Sequence, residues 1–202
     1  MDEVPEQTRE ESFGEGRRLV VALDDRWGMT GISVAAGIGA ELQAALTSGK
    51  RTITVAIRDG NLVVAAWPGL RDRALGVAVD VGSTTIAGHL CDLATGTVLA
   101  TTGAMNPQIR FGEDLMSRVS YVMMNPGGEV ALTNAVRETL DSLLGELCVQ
   151  AGAERDEVLE LVLVGNPVMQ QLFLALPPIQ ILEPTRPERS PYAVLCLEIY
   201  KT

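Results

Sequence analysis

The spacing of hydrophobic positions predicts a β-hairpin in the first third of the chain. Apolar residues alternate with polar or small ones over residues 53–57, and a second apolar run covers residues 62–66. Asp59-Gly60 lies between the two runs, and this dipeptide is typical of the tight turn of a hairpin. The segment therefore predicts two antiparallel strands joined by that turn.

The residues around the hairpin predict a small α+β accessory module over residues 17–70. The apolar run at 19–23 predicts a short buried strand, and residues 40–46 predict a short helix that a Ser-Gly pair ends. Residues 1–16 are polar and acidic, so we expect them to be disordered or a linker.

The pattern changes near residue 75 to that of an α/β domain over residues 75–176. Three apolar segments in close succession predict consecutive strands, and two helical stripes then lead to a fourth apolar segment. A strand that is reached through helices favours a mixed sheet with helical cover, in the order β-β-β-α-α-β-α. The predicted elements are strands at 76–80, 85–92 and 97–102, a helix at 112–124, a helix with its apolar face over 136–151, a strand at 158–164 buried on both faces, and a short helix at 167–176.

Composition and charge narrow the class of protein. The chain has 202 residues, is 47% hydrophobic and carries a net charge of -10, which argues against general binding to nucleic acid or to an anionic membrane. No apolar run is long enough to cross a bilayer, and the acidic N-terminus lacks the apolar core of a signal peptide. The cysteines lie far apart in the sequence, at positions Cys91, Cys148 and Cys196. We interpret them as small buried residues of a protein in a reducing compartment, and therefore expect a cytoplasmic protein.

The turn after the first strand of the second part carries the strongest candidate for chemistry. Asp80 ends that strand and can hold Mg²⁺ through water, which makes it the candidate catalytic and metal-binding residue. Gly82 lets the backbone approach a phosphate closely, and Ser83, Thr84 and Thr85 offer hydroxyl and N–H groups to phosphate oxygens. The alternative is an ordinary strand-ending turn. The hairpin that follows favours the phosphate-binding interpretation, because neighbouring strands hold such a loop rigidly.

Two further segments are weaker candidates. Gly165 and Asn166 follow a buried strand at the edge where ligands of α/β sheets bind, and Asn166 can orient a phosphate or a water there. The alternative role for Asn166 is to cap the next helix. Asn106, Asp114 and Arg118 lie in and after a polar loop that enters a helix, and we expect them to line the rim of the cleft toward a substrate or partner. The alternative is a surface pair between Asp114 and Arg118.

Seven short segments stand out together in the second part of the chain. They are residues 76–85, 92–96, 106–108, 111–114, 117–118, 164–169 and 172–174. In this order and spacing they resemble the reductive activators of corrinoid proteins. The resemblance covers about residues 52–186, and it includes the hairpin of the first part.

The resemblance implies a ribonuclease H-like mixed sheet of the actin-like ATPase superfamily, to which sugar kinases and heat-shock ATPases also belong. Members of this family use ATP with Mg²⁺ to drive reduction of a cobalamin-type cofactor from Co(II) to Co(I). The partner that this implies is a corrinoid protein or a corrinoid-dependent methyltransferase. By position, Asp80, Gly82, Ser83, Thr84 and Thr85 would form the first phosphate loop, Gly165 and Asn166 would lie across the cleft, and Asn106, Asp114 and Arg118 would line its rim.

The sequence also departs from the family pattern. It has no closely spaced cysteines for the two-iron two-sulfur cluster of the full-length family, and no second Asp-x-Gly-Thr-type phosphate loop. Residues 177–202 are rich in proline, and we expect them to be an irregular tail.

We therefore expect a partial activator that binds Mg·ATP weakly or not at all when isolated and shows no turnover. The alternatives are a small-molecule kinase or ATPase of the same superfamily and a truncated, non-catalytic fragment that binds a partner. A half-built domain also exposes an apolar sheet edge, which favours a homodimer.

Overall fold

A computed structural model describes the backbone of residues 6–175 and 193–198 and the side chains of residues 14–175. The chain divides into two compact units, one ending at Arg73 and the other beginning at Ala74. Among the described helices, none combines the length and the apolar character needed to span a bilayer. Each unit has its own sheet and its own buried cluster.

The first unit is a three-stranded sheet with two helices. Its strand order is β1-β3-β2, with β1 parallel and β2 antiparallel to β3. The predicted hairpin is confirmed, and its turn residues Asp59 and Gly60 both have positive φ angles, of 52° and 75°. The elements are α1 (Glu6–Trp27), β1 (Ser33–Val34), α2 (Gly39–Ser48), β2 (Ile53–Arg58) and β3 (Leu62–Pro68).

The strand predicted at 19–23 is wrong, because these residues belong to α1. Leu19, Val20 and Leu23 pack with the buried Ile32 and Val63, as the inward face of a helix does. The rest of the run is exposed, which a buried strand would not allow. The helix begins at Glu6, so residues 6–16, expected to be disordered or a linker, form its first half. Residues 1–5 of that segment lie outside the described residues.

The second unit is built on a five-stranded mixed sheet of order β6-β5-β4-β7-β8. Strand β4 lies in its centre, antiparallel to β5 and parallel to β7. The elements are β4 (Leu75–Val81), β5 (Thr85–Asp92), β6 (Val98–Met105), a 3-10 helix (Pro107–Phe111), α3 (Leu115–Met124), α4 (Gly128–Ala151), a 3-10 turn (Arg155–Glu157), β7 (Val158–Gly165), α5 (Pro167–Phe173) and β8 (Ala193–Glu198).

The central strand β4 has one buried face and one exposed face. Val77, Val79 and Val81 are buried in the main core, whereas Ala78 and Asp80 are exposed. Because side chains alternate along a strand, the Asp80 carboxylate lies on the solvent side of the sheet. Helix α4 contributes much of the core that covers the buried face of the sheet. Its buried residues there are Leu132, Val136, Leu143 and Leu147.

Three predictions for the second unit need correction. The predicted helix at 112–124 is present as α3 but begins only at Leu115, after Asp114, which caps it by accepting a hydrogen bond from the Ser117 N–H. Strand β7 is not buried on both faces, since Glu160 is exposed and several neighbours are half-buried. The tail is not irregular throughout, because β8 pairs with β7 in antiparallel register. The rest of the tail, 177–192 and 199–202, lies outside the described residues.

Candidate functional site

The turn between β4 and β5 is tight and depends on its glycine. The Gly82 N–H donates to the Thr85 carbonyl over 3.0 Å, which closes the turn. A Cβ atom at position 82 would lie 2.6 Å from the same carbonyl oxygen, closer than packed atoms approach. Glycine is therefore required at this position by the turn itself, whether or not a ligand approaches it.

Three consecutive carbonyl groups of this turn are held from the protein side. The Gly82 carbonyl accepts from Asn106 Nδ2 over 2.7 Å, and the Ser83 carbonyl accepts from Arg118 Nη2 over 2.6 Å. The Thr84 carbonyl accepts from the Asn106 backbone N–H over 2.7 Å. The first two oxygens thus bond to buried side chains beneath the loop, and the third continues the ladder between β5 and β6.

The opposite sides of the same peptide groups face outward. A peptide unit is planar and trans, so an oxygen held inward directs the N–H of the following residue outward. This fixes the outward N–H directions of Ser83 and Thr84, whereas the N–H of Thr85, a residue of β5, points toward β4 as its carbonyl does. No described residue accepts a hydrogen bond from the N–H groups of Ser83 and Thr84, and Thr84 and Thr85 are exposed. Successive outward N–H groups form a concavity that suits an anion such as phosphate.

The Asp80 carboxylate lies next to this loop and is not used by the protein. Its side chain is exposed on β4, and it makes no hydrogen bond or ion pair with any residue that the structure describes. Its neighbours across the sheet are Ala87 on β5 and Val164 on β7. A carboxylate with free oxygens at a strand end is suited to hold a hydrated Mg²⁺.

The second predicted loop, at Gly165 and Asn166, lies beside the first, but its polar groups make different contacts. Parallel pairing sets Val81 opposite Gly165, so both loops leave the same edge of the sheet. A Cβ atom at Gly165 would lie 2.9 Å from the Val81 carbonyl oxygen, so this glycine is needed for strand packing. Asn166 Oδ1 accepts from the Val168 N–H over 2.9 Å and caps α5. The capping alternative is therefore confirmed, and a phosphate contact of Asn166 stays a prediction.

The predicted rim residues do not form a rim. Asn106 and Arg118 are 1% and 0% exposed and lie beneath the phosphate-type loop. Arg118 turns inward to the carbonyls of Ser83 and Gly112 instead of pairing with Asp114 on the surface. The reason is that the carbonyls of Gly82 and Ser83 need donors from below, and an unsatisfied carbonyl away from water is costly.

Asp114 is exposed and acts as the N-cap of α3. Its Oδ1 accepts from the Ser117 N–H over 2.7 Å, and this backbone hydrogen bond is the main reason why its pKa lies below the ordinary value. The Arg118 charge lowers it further by a smaller amount. Burial lowers the pKa of Arg118, and the Asp114 charge opposes that shift. An arginine stays protonated in proteins all the same, so a positive charge lies under the loop.

Sequence reasoning missed Gln108, which links the loop support to the core. Its side chain is fully buried, with Nε2 donating to the Leu132 carbonyl over 3.1 Å and Oε1 accepting from Arg118 Nη1 over 3.5 Å. A signal for this network was present. Arg118 lies on the same helical stripe as Leu115 and Val122, at spacings of three and four, so its inward direction was predictable.

The two thiols whose side chains the structure describes lie on separate elements of the second unit. Cys91 lies on β5 and Cys148 on α4, and both are free. Cys148 is buried in the main core, and burial raises the pKa of its thiol. Among the described residues, no group of three or more His, Cys, Asp and Glu side chains is arranged to hold a metal ion. His89 bonds to Thr101 within the sheet.

Comparison with known proteins gives a consistent assignment over both units. The family model of the RACo linker region matches residues 2–73, and that of the RACo middle region matches residues 75–197. The two matches meet where the two compact units meet.

Two relatives support the same assignment. RamQ of Eubacterium limosum, a corrinoid activation enzyme, is 34% identical over 103 residues, which cover 51% of this chain and 17% of that protein. A solved structure of a reductive activator for corrinoid, iron-sulfur protein matches with a TM-score of 0.67 and 34% identity, over 85% of this chain and 28% of that one. The chain thus spans less than a third of either relative. The resemblance drawn from the sequence is confirmed: this chain belongs to the RACo family of reductive activators, of which it carries the linker and middle regions.

Proposed function

We propose that this chain takes part in the ATP-dependent reductive activation of a corrinoid protein and supplies a phosphate loop for the nucleotide. One observation carries the proposal: the carbonyls of Gly82 and Ser83 bond to the buried side chains of Asn106 and Arg118, so the N–H groups of Ser83 and Thr84 point the opposite way. An ordinary strand-ending turn has no need for two buried side-chain donors. A loop that must bind an anion does, since its N–H groups have to point one way.

The roles of the residues follow from their chemistry. The N–H groups of Ser83 and Thr84, with their hydroxyls, neutralise phosphate oxygens, and the exposed Asp80 carboxylate holds Mg²⁺ through water. Reduction of Co(II) to Co(I) takes up one electron, which a separate reductant has to deliver, and ATP hydrolysis would supply the free energy because the step is uphill at cellular potentials. This chain's own part is to bind and orient the phosphates at the carboxyl edge of β4 and β7.

The fold supports a placement in the actin-like ATPase superfamily with its ribonuclease H-like sheet. Strands β6, β5 and β4 form an antiparallel meander, and β7 joins β4 in parallel after two helices.

Free thiols at Cys91 and Cys148 fit a reducing compartment, so we assign the protein to the cytoplasm. The partner in this proposal is a corrinoid protein, which the names of the relatives support, and a corrinoid-dependent methyltransferase is the alternative.

A transplant into RamQ tests this function. The region of Eubacterium limosum RamQ that corresponds to residues 75–175 would be replaced by those residues, and the reduction of the corrinoid cobalt followed by absorbance. We expect reduction that requires Mg·ATP. Replacing both Ser83 and Thr84 by alanine should raise the KM for ATP without changing the affinity for the corrinoid partner. A folded chimera whose activity ignores ATP, or ignores the double substitution, would refute the proposal.

A further inference from the structure

Arg118 is a buried cation with an unusual set of partners. Its side chain is fully buried, and Nη2 donates to the Ser83 carbonyl over 2.6 Å while Nε donates to the Gly112 carbonyl over 2.9 Å. Nη1 contacts Gln108 Oε1 and Met169 Sδ, each at 3.5 Å. In the part of the chain that the structure describes, no carboxylate lies within ion-pair distance of this guanidinium.

A buried charge without a carboxylate is costly to the fold. Carbonyl dipoles compensate part of that cost, but a buried guanidinium is ordinarily retained next to an anion. Asp114, four residues earlier on the same helix, is exposed and occupied as a helix cap, so its effect on Arg118 is indirect. The positive charge of Arg118 thus remains incompletely balanced by the protein itself.

The position of this charge relates it directly to the loop. Arg118 holds the oxygen of the peptide group that joins Ser83 to Thr84, and the N–H of that same rigid group points outward. A donor on the oxygen polarises the peptide and strengthens its N–H as a donor. An anion that sits on the Thr84 N–H is therefore separated from the guanidinium by a single peptide group.

We propose that Arg118 is the positioning residue of the loop: it fixes the outward direction of the Thr84 N–H and supplies the buried positive charge that a bound phosphate balances. The inference rests on the proposed nucleotide function, which it deepens. Arg118 acts through the Ser83–Thr84 peptide and does not touch the nucleotide. Since a buried charge is poorly screened by salt, its contribution to affinity should persist at high ionic strength, unlike that of a surface arginine.

The test compares two substitutions of Arg118 by ¹⁵N relaxation in the ligand-free 202-residue chain and by titration of the RamQ chimera with Mg·ATP. Arg118→Met removes the charge and every donor, and Arg118→Lys keeps the charge but loses the rigid planar pair of donors that bonds the carbonyls of Ser83 and Gly112. In the ligand-free chain we expect the amides of Ser83 and Thr84 to be rigid in the wild type and mobile in Arg118→Met, with Arg118→Lys between them. Affinity should fall by at least about tenfold in Arg118→Met and about threefold in Arg118→Lys, at low and high salt alike.

Arg155→Met is the matched control. Arg155 forms a surface pair with Asp141 and precedes β7 at its amino end, about 23 Å of strand from the loop edge. This variant should leave loop mobility and affinity unchanged.

The two proposals fail in different ways. A folded RamQ chimera whose cobalt reduction does not depend on Mg·ATP removes the nucleotide function, while ligand-free relaxation of the 202-residue chain still reports on Arg118. Unchanged loop rigidity in Arg118→Met overturns the positioning role. If Arg118→Met does not fold, the Lys variant decides, since wild-type mobility and affinity in Arg118→Lys overturn it equally.

Discussion

The loops after β4 and β7 leave the same edge of one sheet, yet they use their polar groups in opposite ways. In the first loop the carbonyls of Gly82 and Ser83 bond to buried side chains, and the N–H groups of Ser83 and Thr84 have no acceptor among the described residues. In the second loop, Gly165 serves strand packing and the Asn166 oxygen is taken by the Val168 N–H. A loop at the carboxyl edge of parallel strands is therefore a candidate for binding a ligand. Whether it can bind depends on which of its polar groups are already hydrogen-bonded within the protein.

A pair of asparagine substitutions should separate the two loops most strongly. Asn106→Ala would leave the buried Gly82 carbonyl and Gln108 N–H without their partners, at a cost of about 3 kcal/mol in the free energy of unfolding. Asn166→Ala removes an exposed helix cap and should cost about 1 kcal/mol. Urea unfolding of both variants measures the difference. Equal losses of unfolding free energy in the two variants would mean that the hydrogen bonds of Asn106 beneath the first loop stabilise the fold no more than an exposed helix cap does.

A pair of glycine substitutions separates folding from binding. Gly82→Ala and Gly165→Ala each bring a Cβ atom into a backbone carbonyl, at 2.6 and 2.9 Å, so each should cost about 2 kcal/mol of stability. Only Gly82→Ala should also abolish the response of the loop amides to Mg·ATP, because it opens the turn that aligns them. Loss of binding in Gly165→Ala alone would reverse the roles that we assign.

Removing the Asp80 carboxylate should affect the metal and spare the fold. Asp80→Ala should change the free energy of unfolding by less than about 0.5 kcal/mol, because the side chain is exposed and without a described partner. It should abolish the Mg²⁺ dependence of any nucleotide binding, measured by calorimetry with and without Mg²⁺. Glu160→Ala, which removes an exposed carboxylate from the neighbouring strand, is the control. An unchanged dependence would remove Asp80 from the site.

The smallest expected effect concerns the cap of α3 and its pH dependence. The pKa of Asp114 in the folded chain lies below the ordinary value of 3.8, mainly because the Ser117 N–H bonds to the carboxylate. Its stabilising effect is therefore fully present above pH 3.8 and is lost as the pH falls through the lowered pKa. Asp114→Ala should lower Tm slightly at neutral pH and converge with the wild type in strong acid. A difference in Tm that persists in strong acid would contradict the capping role.

Local pattern was sufficient for the elements whose periodicity is clear. The hairpin turn at Asp59-Gly60, helix α4 with its Gly152 stop and the strands on both sides of the candidate loop follow from spacing and turn chemistry. The run at 19–23 misled because five apolar residues fit a strand or a helix face equally well. Its neighbours Arg17 and Arg18, and the match between Leu19 and Leu23 at spacing four, favour the helix that is observed.

The candidate site was predictable in part. The Asp80–Thr85 string and the capping role of Asn166 could be read from residue types and order. The burial of Asn106 and Arg118 was missed because charge and polarity predict exposure, and only the inward turn of two loop carbonyls explains why buried donors are needed there. The homodimer expected from an exposed sheet edge stays a prediction. The edge strand β6 does expose Val98, Leu99 and Met105.

A crystal structure of this chain, or of the RamQ chimera, with Mg²⁺ and a non-hydrolysable ATP analogue tests the central claim most directly. We predict phosphate oxygens within about 3 Å of the Ser83 and Thr84 nitrogens, with the hydrated Mg²⁺ next to Asp80 and the carbonyls of Gly82 and Ser83 still turned inward. Phosphates bound elsewhere, or a loop whose peptide groups have turned their carbonyls toward the nucleotide, would contradict the account.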